Sequence, residues 1–203
     1  MKRRLLLLTL TLLLAAASAA AQSRQTPAPS EAKPREGAAS ERQGFRLKGI
    51  DGKTYDNTEM RGQVLVVSFG ATWCTPCTWE LVAIEELKVE YTGKPVRFLW
   101  VSIEDEKVTS NNLLRHYAKQ RGLTIPVLRD PTAETFYQFT NQMRVPMMVI
   151  FDREGRFSAP AHRGMPQDIT LYKQMVRERV NALLAAPAEG GTEATAAGKA
   201  ATN

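Results

Sequence analysis

Of the residue types that most often carry chemistry, 203 residues supply only two cysteines, two histidines and three tryptophans. A framework of disulfides is excluded, because Cys74 and Cys77 can close a single bridge. A structural zinc site is excluded too: it needs four ligands, and His116 and His162 lack finger-like spacing. No metal and no cofactor is therefore expected. Blocks of like charge are also missing. The 27 basic and 21 acidic side chains are interspersed, and Lys2, Arg3 and Arg4 at the start account for half of the net charge of +6. That balance excludes a basic nucleic-acid surface. Past the first 21 residues, no apolar run is long enough to cross a bilayer. Two stretches lack what a core needs. "QSRQTPAPSEAKPREGAASERQ" (22–43) has no aromatic or branched aliphatic residue, and "PAEGGTEATAAGKAATN" (187–203) is similar. Neither can bury enough to offset its ordering entropy, so they read as a disordered linker and tail.

What is present begins with "MKRRLLLLTLTLLLAAASAAAQS". Lys2, Arg3 and Arg4 precede an apolar stretch from Leu5 to Leu14, and Ala19, Ala20 and Ala21 offer a small-residue cleavage site before Gln22. This is the layout of a secretory signal, residues 1–21. The alternative is an uncleaved anchor, for which the apolar part is short. No cysteine follows it, so a lipid-anchored form finds no support. The expected protein is exported, periplasmic or otherwise extracytoplasmic, and touches a membrane only if the signal is retained.

The folding unit is then 44–186, long enough for one core. "FRLKGIDGKTY" predicts a hairpin around Asp51-Gly52. "QVLVVSF" (63–69) and "VRFLWVS" (96–102) read as strands buried on both faces. A helix is expected over 75–91, with Cys77, Leu81, Ile84, Leu87 and Tyr91 on one apolar stripe. Glu80 falls on that stripe as well. A second helix over 111–121 stops at Gly122. A short strand in "IPVLRD", a short helix in "TAETFYQF", and strands in "PMMVIFD" and "RFSAP" follow. A last helix starts after Asp168, carrying Ile169, Tyr172, Val176, Val180 and Leu183 inward. Alternating strands and helices, closed by a hairpin, predict an α/β domain with a central mixed β-sheet flanked by helices and an N-terminal β-hairpin.

The cysteine pair stands where a buried strand hands over to a helix. Free N–H groups and the helix dipole there favour a thiolate. Pro76 suits the first helical turn, where its missing N–H costs nothing. The spacing places Cys74 at an exposed helix start and Cys77 one turn in. Cys74 would attack a substrate disulfide and Cys77 would resolve the mixed disulfide. A structural staple is the poorer alternative, since closing so short a loop contributes roughly 2 kcal/mol at best.

"VLVVSFGATWCTPCTWE" resembles the active-site segment of the thioredoxin superfamily. It looks most like the exported TlpA/ResA-type proteins, which include cytochrome c maturation thiol reductases. The resemblance extends over 44–186, to "RVPMMVIFDREG" and the closing helix. It implies a thioredoxin-like fold and a cis peptide before Pro146. It also implies that the Val145 backbone pairs with the substrate chain, with Trp73, Thr75, Pro76 and Pro146 beside it. It gives Glu80 a role in tuning or deprotonating the thiols; the other reading is an ordinary acidic residue in a first turn. The sequence departs from the family at three places. Gly70 replaces a common Trp and removes an aromatic wall, Val82 replaces a common Pro, and Met147 and Met148 follow the cis-proline.

The reading is an exported thiol–disulfide oxidoreductase, monomeric and reducing, acting on protein thiols and disulfides. The resemblance implies a membrane thiol transporter as electron donor and apocytochrome c as a substrate. Alternatives are a disulfide oxidase or isomerase, and a Cu(I) chaperone using Cys74, Cys77 and Met147 with Met143 or Met148. Trp73 is expected to pack over Cys74, Trp79 and Trp100 to be structural, and His116 and His162 to be solvated, His162 in a loop.

Overall fold

A computed structural model describes residues 43–187. The expected signal, nearly all of the linker and most of the tail lie outside these residues. Strands β1 (Arg46–Gly49) and β2 (Thr54–Asp56) form the opening hairpin, and Gly52 at its turn has φ +83°, a conformation open to glycine. They are followed by β3 (Val64–Gly70), α1 (Thr75–Glu90), β4 (Val96–Ser102) and α2 (Asn111–Gln120). The chain continues through β5 (Val127–Arg129), α3 (Glu134–Tyr137), β6 (Met147–Phe151), β7 (Phe157–Arg163) and α4 (Ile169–Ala185). The strands make one sheet in the order β2-β1-β5-β4-β3-β6-β7. β3, β4 and β5 run parallel, and every other pairing is antiparallel.

The side-chain period of two sorts the central strands cleanly between two cores. Val64, Val66, Phe98, Trp100, Met148 and Ile150 face the apolar stripes of α1, α2 and α4. Leu65, Val67, Phe69, Leu99, Val101, Met147, Val149 and Phe151 face the other side, where Phe136 of α3 and the segment before β1 close the layer. Leu81, Ile84 and Leu87 of α1 are fully buried, each stabilising the fold by about 1.5–3 kcal/mol.

Asn57 ties the hairpin to the far end of the sheet. Its Oδ1 accepts from Phe45 N at 2.7 Å and its Nδ2 donates to Gly155 O at 2.8 Å. Asp168 caps α4 by accepting from Thr170 N at 2.7 Å. One element differs from expectation. β7 runs on through a cis Ala159–Pro160 peptide to Arg163, so His162 lies in a strand rather than a loop.

Candidate active site

Cys74 is the N-cap of α1. Its Sγ accepts from the Cys77 N–H at 3.2 Å, and Pro76 occupies the first turn. The two cysteines form a disulfide with Cα atoms 5.2 Å apart. The Cys77 N–H and the positive end of the helix dipole thus face the sulfur that would carry negative charge. Burial corrects one expectation. Cys74 is only 4 % exposed and Cys77 is fully buried, because Ala71 and Val145 pack around the pair. What stands in solvent is the rim: Trp73, Thr75 and Pro76 are exposed. Trp73 is 69 % exposed and Trp79 52 %.

The Val145–Pro146 peptide is cis. Val145 is half-buried and leans on the cysteine cluster, while Pro146 is buried and its carbonyl accepts from Gly164 N at 2.7 Å. Cys74, Cys77 and Val145 are therefore brought together from three parts of the chain: the β3–α1 junction, the first turn of α1 and the approach to β6.

Glu80 is fully buried one turn beyond Cys77. Ser68 Oγ donates to one carboxylate oxygen at 2.5 Å and Tyr172 Oη to the other at 2.6 Å. Burial raises its pKa to about 7, outweighing the two donors, which pull the other way. The same burial and the adjacent carboxyl push the Tyr172 hydroxyl well above its usual range, so it stays a donor. His162 is half-buried beside Tyr172, ring centroids 5.8 Å apart, not solvated as expected. Its pKa is lowered, chiefly by burial and then by Arg179. His116 is exposed on α2.

One support went unnoticed in the sequence, and a second was expected there only to be structural. Glu104, just past β4, fastens the loop before the cysteines. Its carboxylate accepts from Thr72 N at 2.9 Å, Thr72 Oγ1 at 2.7 Å, Ser102 Oγ at 3.1 Å and Thr109 Oγ1 at 3.0 Å. The second is Trp100. The aromatic wall expected to be missing at Gly70 comes instead from the neighbouring strand. A Cβ on Gly70 would lie 2.7 Å from Trp100 Nε1 and 3.3 Å from Cys77 Sγ.

The three methionines of the soft-ligand alternative lie apart. Met147 and Met148 point to opposite faces of the sheet, into separate cores, and Met148 Sδ lies 3.5 Å from the Tyr172 hydroxyl oxygen. Met143 is 52 % exposed. Both buried methionines fill core space, as adaptable side chains do.

Comparison with known proteins follows the same lines. The redoxin family model matches residues 35–173. The thioredoxin-like protein YneN of Bacillus subtilis is 32 % identical over 111 residues, 55 % of this chain and 63 % of that protein. The thiol-disulfide oxidoreductase ResA of Geobacillus thermodenitrificans is 30 % identical over 86 residues, 42 % of this chain and 47 % of that protein. The chain thus spans about half to three-fifths of the length of these relatives. A solved thiol:disulfide interchange protein of Chlorobium tepidum, described as a thioredoxin family protein, superposes with a TM-score of 0.56 at 21 % identity. The match covers 70 % of this chain and 94 % of that one. The fold is the thioredoxin-like one expected.

Proposed function

Because the chain belongs to the redoxin family, we propose that it is a thiol–disulfide oxidoreductase working through Cys74 and Cys77. The observation that carries this reading is the Cys74 sulfur held at a helix N-terminus, 3.2 Å from the Cys77 N–H, with a buried carboxyl one turn further in. In the reduced protein the Cys74 thiolate attacks a substrate disulfide. A Cys74–substrate bond forms, and the first substrate sulfur leaves as a thiolate. Cys77 then gives its proton to the Glu80 carboxylate and attacks Cys74. The Cys74–Cys77 bond forms, the mixed disulfide breaks and the second substrate thiolate departs. Two electrons pass from the protein dithiol to the substrate. Glu80, with a pKa of about 7, is matched to hold and return that proton near neutral pH. Exposed Trp73, Thr75 and Pro76, with Val145 opposite, supply the surface on which a protein substrate lies.

The finer reading is of an exported reductase. The basic and apolar start of the chain supports export. The absence of a histidine or lysine between the cysteines supports a reducing dithiol. Reducing work outside the cytoplasm needs electrons from a membrane thiol donor, and apocytochrome c thiols are a substrate that fits. The folding unit is taken as 44–186.

Cys74→Ser is expected to abolish reduction of insulin disulfides by the protein recycled with dithiothreitol. Cys77→Ser should accumulate mixed disulfides whose captured partner names the substrate. Full turnover by Cys74→Ser would refute the reading. An equilibrium potential near that of strong oxidants, about −120 mV, would reverse the direction of electron flow.

A further inference from the structure

Buried polar side chains almost always have a hydrogen-bond partner, so an exception calls for a physical reason. Among the described residues, Trp100 Nε1 is such an exception: it is buried and no acceptor reaches it. The ring itself is fully buried and tightly placed. It stacks on Tyr117 with centroids 5.6 Å apart and planes 25° apart, and the Arg121 guanidinium lies 5.5 Å from the centre of the Tyr117 ring. Tyr117 is in turn tied to α1, its hydroxyl 3.4 Å from Thr78 Oγ1. The indole edge therefore has little freedom to turn away and find a partner.

What that edge faces is set by Gly70. The space a side chain would fill there is bounded by Trp100 Nε1 at 2.7 Å and by Cys77 Sγ and Cβ at 3.3 and 3.4 Å. One small volume, kept open by a glycine, brings together a donor without an acceptor and the resolving sulfur. An indole N–H can only donate. A sulfur in a disulfide is a feeble acceptor, whereas a thiolate is a strong one, and bonds to charged groups are about twice as strong as neutral ones. The N–H is unpaired in the oxidised state, and reduction would turn the sulfur on the other side of that volume into an acceptor.

We propose that the Trp100 indole N–H is the hydrogen-bond donor for the Cys77 sulfur when the disulfide opens, holding it as a thiolate for the resolving attack. This rests on the oxidoreductase reading of Cys74 and Cys77. During resolution Cys77 loses its proton to Glu80, takes the Trp100 N–H as donor, attacks Cys74 and expels the substrate thiolate. Closing the bond leaves the N–H unpaired again. The titratable groups around this end of α1 are Cys74 and Glu80 on the helix itself, Tyr117 from α2 and Tyr172 from α4. Trp100 is a donor that cannot itself titrate in the working range.

The test is Trp100→Phe, which keeps a ring against Tyr117 and removes the N–H. In reduced protein with labelled cysteine Cβ, the Cys77 titration midpoint should rise by about one pH unit while Cys74 stays in place. The mixed disulfide should also persist about tenfold longer, from the same loss. An unmoved Cys77 midpoint overturns the proposal. The unmodified chain gives a second reading that does not depend on the variant folding. On reduction, its Trp100 indole proton should shift downfield with the Cys77 titration, while those of Trp73 and Trp79 stay fixed. An indole resonance indifferent to both reduction and pH also overturns the proposal. Insulin reduction by the unmodified chain is measured separately. Its failure counts against the oxidoreductase reading, and the indole titration still decides the contact.

Discussion

At the scale of single residues, Glu80 has the largest consequences. It is fully buried with a pKa of about 7, against about 4.5 when unfolded, and the cause is desolvation. The folded protein thus binds this proton more tightly than the unfolded chain. Its contribution to stability is complete below about pH 4.5 and is lost as pH rises through about 7. The size of that loss is on the order of 3 kcal/mol. Glu80→Gln should remove this slope, so chemical denaturation of the oxidised variant is expected to show a flatter profile between pH 5 and 8 and greater stability at pH 8. The same variant should slow disulfide exchange about a hundredfold at pH 7, as loss of a general base does. A pH profile of stability identical to the unmodified protein would show that the carboxyl is not ionising across this range. Helical spacing put Glu80 on an apolar stripe, and the family resemblance, not the position, gave it a role. Its partners were hidden: Ser68 reads as a break in an apolar run, and Tyr172 as one more inward aromatic.

At the scale of elements, the strand-to-helix junction was legible and its fastening was not. The continuous apolar run of β3 and the apolar stripe of α1 can be read directly, and so can the helix start at Cys74. That Cys74 is nearly buried depends on Val145, which arrives from a distant segment that no local pattern ties to it. His162 was misplaced for a similar reason: a proline at position 160 suggested that the strand had ended, yet β7 continues past it. Glu104 shows the same limit. Four donors from Thr72, Ser102 and Thr109 converge on its two oxygens. Arg129 of β5 steadies the same turn by donating to Thr109 O at 2.5 Å and Glu104 O at 3.0 Å. In Glu104→Ala all four donors, the Thr72 amide among them, lose their acceptor, at a cost of about 1–3 kcal/mol or more. The expected result is faster hydrogen exchange at the Thr72 amide and slower turnover, with α4 amides unchanged. Exchange at Thr72 as slow as in the unmodified protein would mean that the loop is held by other contacts.

At the scale of the whole molecule, the sheet divides its labour. The three parallel strands at its middle lead into the cysteine pair at one end, while the β1–β2 hairpin and β7 finish the two edges. The overall α/β plan could be read from alternation alone. The placement of tryptophans could not, since an exposed and a buried indole look alike in a sequence. Here the difference has an optical consequence. Trp73 and Trp79 stand largely in water, and Trp100 is sealed in the core beside the cysteine pair. A disulfide next to an excited indole drains its emission by electron transfer, and a dithiol does so far less. Reduction of the protein should therefore brighten a blue-shifted component from Trp100 and leave the red-shifted emission of the two exposed rings nearly constant. In Trp100→Phe the blue component and its redox response should vanish together. The glycine at position 70, by leaving room for a neighbour's ring, makes the oxidation state of this protein visible as light.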